Sequence, residues 1–200
     1  MNLLDIRNLS IELVNDDQRI LAVDKVSLSM KEGEVRGLVG ESGSGKSLLA
    51  QALVGVLDDK WHVHADRFHW RGIDLLRLSI EERKELLSRD VAMIFQEPMA
   101  CLDPTTAIGD QLTEAIDSSQ LSGFFWQKKQ QRQSAAIKLL HKVGIKNHQA
   151  CLTSYPHQLT EALCQRVMIA IALARRPILL IADEPTAAME NTNEGQIFRL

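Results

Sequence analysis

An α/β fold is expected for this chain, on three observations. An apolar run at residues 35–39 leads straight into a glycine-rich loop and then into a helix-compatible stretch, 48–57. A second apolar run, 178–182, ends in the acidic pair Asp183-Glu184. A third, 91–95, ends at Gln96. None of the three alternates apolar with polar residues, the pattern expected of strands buried on both faces of a parallel sheet.

The remaining elements follow in order. Residues 4–13 and 22–30 are rich in Leu, Ile and Val and are read as strands joined by a turn at Asn15-Asp16-Asp17. Residues 61–70 form another strand or hairpin. Ser79-Ile80-Glu81-Glu82 is a capping box opening a short helix. From Glu97 to about His157 the chain turns helical. Helices are expected over 111–116 and 133–143, the second with Ile137, Leu140 and Val143 on one face and Gly144 as its stop. A long helix covers 160–174, and Asn191 with Glu194 opens a last one. Because that pattern is still running at Leu200 without a capping signal, the chain is expected to be truncated at its C-terminus.

Composition narrows the function classes. The 200 residues suffice for one domain with an inserted subdomain. A net charge of −3 speaks against nucleic acid as a partner. Cys101, Cys151 and Cys164 are odd in number and far apart, which fits neither a disulfide framework nor a zinc knuckle. The start lacks a basic-then-apolar signal pattern, and no apolar stretch reaches the roughly 18 residues of a spanning helix. At a membrane, a partner would have to hold the chain in place.

The loop Gly40-Glu41-Ser42-Gly43-Ser44-Gly45-Lys46-Ser47 matches G-x-x-x-x-G-K-S in full. Its glycines let backbone N–H groups approach phosphate oxygens, and the helix that follows points its partially positive N-terminus at the same place. Lys46 is expected on the β- and γ-phosphates of a nucleotide and Ser47 on Mg²⁺. A chance glycine-rich turn is the plain alternative; the strand before and helix after weigh against it. Asp183 suits a metal contact, Glu184 a general base for an attacking water, and Gln96 a neutral amide that orients water and touches the metal.

Taken with the phosphate loop, Met93-Ile94-Phe95-Gln96-Glu97-Pro98 and Leu180-Ile181-Ala182-Asp183-Glu184-Pro185-Thr186 resemble the ATP-binding subunits of ABC transporters. Residues 96–104 are similar to the oligopeptide and dipeptide importer branch. Residues 3–9 and 73–78 narrow the likeness to the Sap type of peptide transport system. The resemblance implies a RecA-like P-loop core with an antiparallel β element (1–96 and 161–200) and an inserted helical subdomain (97–160). It also implies binding and hydrolysis of ATP with Mg²⁺, the metal being held by Ser47, Gln96 and Asp183. The partners implied are a second ATPase subunit, membrane permease subunits and, indirectly, a periplasmic solute-binding protein. The place implied is the cytoplasmic face of the inner membrane.

The sequence departs from that family at several positions. The signature L-S-G-G-Q is replaced by Leu159, Thr160, Glu161, Ala162 and Leu163. Thr160 keeps a hydroxyl for a γ-phosphate. Glu161 sets a carboxylate where glycine normally lets the backbone approach; at ~5 Å and an effective dielectric of about 20 its repulsion is ~3 kcal/mol per unit of phosphate charge. A plain helix-terminus role for Glu161 contributes only about 0.3–1 kcal/mol. A homodimer would then have two weak composite sites and a heterodimer one good site. The D-loop pattern is degenerate at Ala187, Ala188, Met189 and Glu190, and only Ile20 or Leu21 can cover adenine. The family's switch histidine falls beyond Leu200, on a strand expected between the phosphate-loop strand and the Asp183 strand, so the fragment alone is expected to be inactive.

Other readings remain. One is a hydrolysis-deficient nucleotide-binding regulatory subunit. Another is a soluble ABC protein acting on ribosomes or DNA, although neither a second cassette nor a coiled-coil insertion is visible. A GTPase would need an N-K-x-D motif, which does not occur. A metal site at His62, His64 and His69 lacks a completing Cys or acidic set. Phe124-Phe125-Trp126 beside Lys128 and Lys129 is read as core packing with a solvated flank rather than a partner contact, and Cys164 as core.

Overall fold

The computed structural model describes residues 2–15, 18–117 and 121–185. These fall into two compact units, Met1–Arg89 and Asp90–Leu200. The D-loop positions 187–190, the helix expected at Asn191 and Glu194, and Asp16-Asp17 of the first turn lie outside the described residues.

The first unit is organised by one long strand, β1 (Leu4–Asn15). It pairs antiparallel with β2 (Gln18–Met30) on one side and with β3 (Trp61–His64) and β4 (Arg67–Trp70) on the other; β5 (Ile73–Asp74) continues from β4. Ile6, Leu9 and Ile11 are all buried, although the odd step from 6 to 9 would send Leu9 to the opposite face of a regular strand. A bulge corrects this: the register shifts between Ile6 and Leu9, and Asn8 takes φ 48°. The Asn8 N–H donates to Ser27 Oγ at 3.0 Å and its side-chain amide to Asp66 Oδ2 at 2.6 Å. Opposite the bulge, residues 61–70 resolve as one strand broken at Ala65-Asp66, not a hairpin, because both halves run along β1.

The first unit also carries the helices α1 (Lys46–Val54) and α2 (Ile80–Asp90). The box read at Ser79 forms: the Glu82 N–H donates to Ser79 Oγ at 3.2 Å and the Ser79 N–H to Glu82 Oε2 at 2.9 Å. Arg83 donates twice to Leu75 O and lies 5.9 Å from the Phe68 ring centre. The run 35–39 departs from expectation. It joins no sheet, and Val35 and Val39 are 99% and 94% exposed. A strand is held by ladder bonds to a neighbour, and among the described residues no strand pairs with it.

Among its described residues the second unit holds β6 (Val91–Ile94) and β7 (Leu179–Ala182), paired in parallel, and five α-helices: α3 (Pro98–Cys101), α4 (Ile108–Ala115), α5 (Phe125–Lys142), α6 (His148–Thr153) and α7 (Glu161–Ala174). A single apolar core joins Ala92 and Ile94 of β6 to Ile108, Leu112, Leu140, Val143, Val167 and Ile169. Helix α7 is central, with Cys164, Val167 and Ala170 fully buried. Cys151 is buried too, which pushes its thiol up to about 11 and keeps it protonated. As expected, α5 stops at Gly144, whose φ of 79° suits the turn, and Arg166 Nη1 donates to the Gly144 carbonyl at 2.9 Å.

Two expectations need correction here. β7 is covered on one face only: Leu179 is buried, but Ile178 and Leu180 are 43% and 40% exposed. Helix α5 begins at Phe125 rather than Gln133, and Phe124, Phe125 and Trp126 are exposed instead of packed. The helix outruns the core that its C-terminal half fills.

Leu140→Ala would leave a cavity at a fully buried position and should lower the unfolding free energy by about 2–5 kcal/mol in a denaturant titration. Asp103 accepts from the Thr105 and Thr106 hydroxyls at 2.7 Å each, and these hold its carboxyl below the ordinary 3.8. A carboxyl lowered by folding stabilises above its unfolded value and stops doing so as pH falls through the lowered one. A Thr105→Val/Thr106→Val variant should therefore show a shallower loss of stability below pH 3.8, read from thermal unfolding against pH.

Candidate functional site

The loop of residues 40–47 lies in the first unit, between the exposed run 35–39 and α1. Gly43 and Gly45 take φ values of 77° and 88°, and Gly45 forms the left-handed N-cap of α1. A Cβ at Gly45 would lie 2.8 Å from Val23 Cγ2 and 3.2 Å from the Ala22 carbonyl, so β2 seats the loop and only glycine fits there. The helix's first backbone bond is Leu49 N–H to Gly45 O at 2.9 Å, which leaves the earlier N–H groups of the turn directed out of its end. Lys46 Nζ donates to the carbonyls of Gly40 and Glu41, both at 2.8 Å. The loop thus curls around an ammonium at a helix N-terminus, a concentration of positive charge suited to phosphate. Ile20 and Leu21 of β2 are half exposed and directly precede the strand segment, Ala22-Val23, that touches Gly45.

The second unit gathers the acidic and amide groups. The parallel register places Ile94 opposite Ala182, so both strands end at one edge. One bond continues past the strands: the Asp183 N–H donates to Ile94 O at 2.9 Å. Gln96 Nε2 donates to Glu184 Oε2 at 3.0 Å. Glu184 sits at φ 47°, a conformation few non-glycine residues take and one that clusters at functional positions. Gln96, Asp183 and Glu184 are therefore brought together, while the phosphate loop is carried by the other unit.

The signature positions open α7. Thr160 is its N-cap, its Oγ1 accepting from the Leu163 N–H at 3.3 Å, which still leaves the hydroxyl proton for another acceptor. Glu161 is exposed in the first turn, and Ala162 and Leu163 follow it into the helix.

One residue here escaped the sequence reading. Gln165, one turn beyond Glu161, is 1% exposed; its Nε2 donates to the Pro185 carbonyl at 2.8 Å, and its buried Oε1 has no partner among the described residues. It ties α7 to the turn that carries Asp183 and Glu184. A lone amide in an otherwise apolar stretch, Leu163 to Ala174 interrupted by Gln165 and Arg166, was the available signal.

Comparison with known proteins decides what this pattern belongs to. The family model described as "ABC transporter" matches residues 23–187. The chain is a member of the ABC transporter family. Over its whole length it is 56% identical to the peptide transport system ATP-binding protein SapD of Escherichia coli, of which it spans 61%. It is 48% identical to SapD of Haemophilus influenzae, spanning 57% of it, and 46% identical to the dipeptide transport ATP-binding protein DppD of Escherichia coli, spanning 60%. Among solved structures, a dimeric ATP-binding cassette in a post-hydrolysis state bound to ADP and Pi matches with a TM-score of 0.80 at 24% identity, covering 98% of this chain and 80% of that one. At that identity the likeness establishes the α/β cassette fold alone.

The cassette's loop yields a paired test. Gly45→Ala meets both a strained φ and a clash with Val23, whereas Gly43→Ala meets a strained φ with nothing within 4 Å. Both should destabilise by about 1–3 kcal/mol for the backbone, with Gly45→Ala the worse of the two in thermal unfolding.

Proposed function

We propose that this chain is the ATP-binding and ATP-hydrolysing part of a subunit that energises a membrane peptide transporter of the Sap type. The reading is supported most directly by the Gln96–Glu184 hydrogen bond at the shared end of β6 and β7, in a chain that also carries a complete phosphate loop.

In this reading the backbone N–H groups of residues 40–47 and the Lys46 ammonium hold the β- and γ-phosphates. Ser47, Gln96 and Asp183 are the residues that would hold Mg²⁺; a hydroxyl, an amide oxygen and a carboxylate are the hard oxygen donors that ion prefers. When bound, the ion supplies neutralisation of phosphate charge. Glu184 accepts a proton from the water that attacks the γ-phosphorus; the bond to the β–γ bridging oxygen breaks, and ADP leaves. Gln96, whose amide N–H is given to Glu184, holds that carboxylate in place and keeps its own carbonyl oxygen for the metal.

The partners belong to the same proposal: a second ATPase subunit, permease subunits, and through them a periplasmic solute-binding protein, with the chain peripheral on the cytoplasmic face of the inner membrane. Among the described residues no helix is long and apolar enough to cross a membrane. We read residues 97–160 as the inserted helical subdomain between the two parts of the RecA-like core. Glu161 at the opening of α7 supports pairing with a different ATPase, because a carboxylate there repels the γ-phosphate held by the facing subunit. The same residue favours the second reading, a regulatory subunit that binds nucleotide without hydrolysing it.

Glu184→Gln separates the two. In the intact complex it should lower ATP turnover at least ~100-fold, the low end of a general base's contribution, and stop transport; unchanged transport would favour the regulatory reading. Homodimers of the intact chain should turn over poorly, and Glu161→Gly should raise their rate. Full turnover by the unmodified homodimer, equal to that of the mixed complex, contradicts the asymmetric pair.

A further inference from the structure

The charges of this chain are segregated. Residues 118–160 contain no Asp or Glu at all but six Lys and Arg, Lys128, Lys129, Arg132, Lys138, Lys142 and Lys146, in a chain whose net charge is −3. Into the same stretch falls the exposed aromatic run: Phe124 is 75%, Phe125 86% and Trp126 64% exposed.

These side chains are displayed by a held structure. The Phe124 N–H donates to Gln127 Oε1 at 2.8 Å, and Gln131 grips the preceding loop from both sides, accepting from the Ser122 N–H at 3.2 Å and donating to Ser122 O at 3.0 Å. Gly123, at φ 93°, is required for this, since a Cβ there would run into the Gln127 side chain. The first two turns of α5 bury no residue, whereas Ala136 and Leu140 further along are wholly buried. On that projecting part, Phe125, Lys128, Lys129 and Arg132 are spaced i, i+3, i+4 and i+7, so the cations share a face with the aromatic ring.

An exposed aromatic cluster beside cations, with no carboxylate in the surrounding sequence, matches the boundary of an anionic bilayer. Aromatic rings favour the headgroup level, and clustered Lys and Arg are drawn to anionic headgroups. We propose that the N-terminal tip of α5, Phe124-Phe125-Trp126 with Lys128, Lys129 and Arg132, is a lipid-surface contact that docks this chain directly on an anionic membrane. The contact is independent of the ATPase reading, because it requires neither nucleotide nor the catalytic residues.

The test is flotation of the purified full-length protein with vesicles of phosphatidylcholine, with and without phosphatidylglycerol, at low and high salt. Wild type should float with the anionic vesicles only, and salt should release it. Lys128→Gln/Lys129→Gln should weaken partition by about fivefold per cation, and Phe124→Ser/Phe125→Ser/Trp126→Ser by at least about tenfold. All five side chains are exposed, so circular dichroism and ATP binding should be unchanged. Brominated lipid should quench a component of the tryptophan emission that Trp126→Phe removes. Equal flotation of wild type and the aromatic variant overturns the proposal. So does flotation only when permease subunits are present in the vesicle, which would make this tip a protein contact.

Discussion

The parallel pairing of β6 and β7 is the constraint on which the site depends. Its register brings Ile94 level with Ala182, and one further bond, Asp183 N–H to Ile94 O at 2.9 Å, carries the alignment past the strand ends. Without that register Gln96 and Glu184 would not meet at 3.0 Å. Open α/β sheets place ligands at the carboxyl ends of their strands, and here that edge collects an amide and two carboxylates. Gln165 braces the same turn from α7 through Pro185. That bond is part-buried, and removing it should cost about 0.5–1.5 kcal/mol, the net worth of an ordinary hydrogen bond.

Much of this was legible in the sequence because the signals were local. The glycine loop, the Ser79–Glu82 box and the Gly144 stop each depend on a few neighbouring residues, and each forms as read. The family was legible too, since its motifs lie at strand ends whose chemistry can be named. What was not legible depended on distant partners. Residues 35–39 have the composition of a buried strand, yet a strand needs a neighbour, and none of the described residues supplies one. Whether 61–70 folds back on itself or runs along β1 was decided by its pairing with β1, far back along the chain, for which the local sequence carries no clear mark. Phe124 to Trp126 was assigned to the core on hydrophobicity alone, a rule that says where apolar residues often go but not where a helix outruns its support.

The phosphate loop and the α7 signature make opposite statements about self-sufficiency. The loop is complete: glycines at φ 77° and 88°, a seat on β2 and an ammonium held by two carbonyls. The signature is not, because Glu161 places negative charge at a helix N-terminus that would otherwise attract phosphate. In the proposed pairing, the chain gains a full site by lending its loop to another subunit's signature, while its own signature contributes little in return. The basic aromatic tip of α5 adds a second contact of the same chain, toward lipid rather than toward a protein partner.

The central claim is that the chain forms one productive composite site with a different ATPase. Single-turnover counting on the intact mixed complex tests it most directly: the complex is loaded with radiolabelled ATP, excess nucleotide is removed, and the ADP formed in the first rapid phase is measured per complex. The account predicts that one of two bound ATP molecules is hydrolysed in that phase while the other persists. Rapid hydrolysis of both would contradict it.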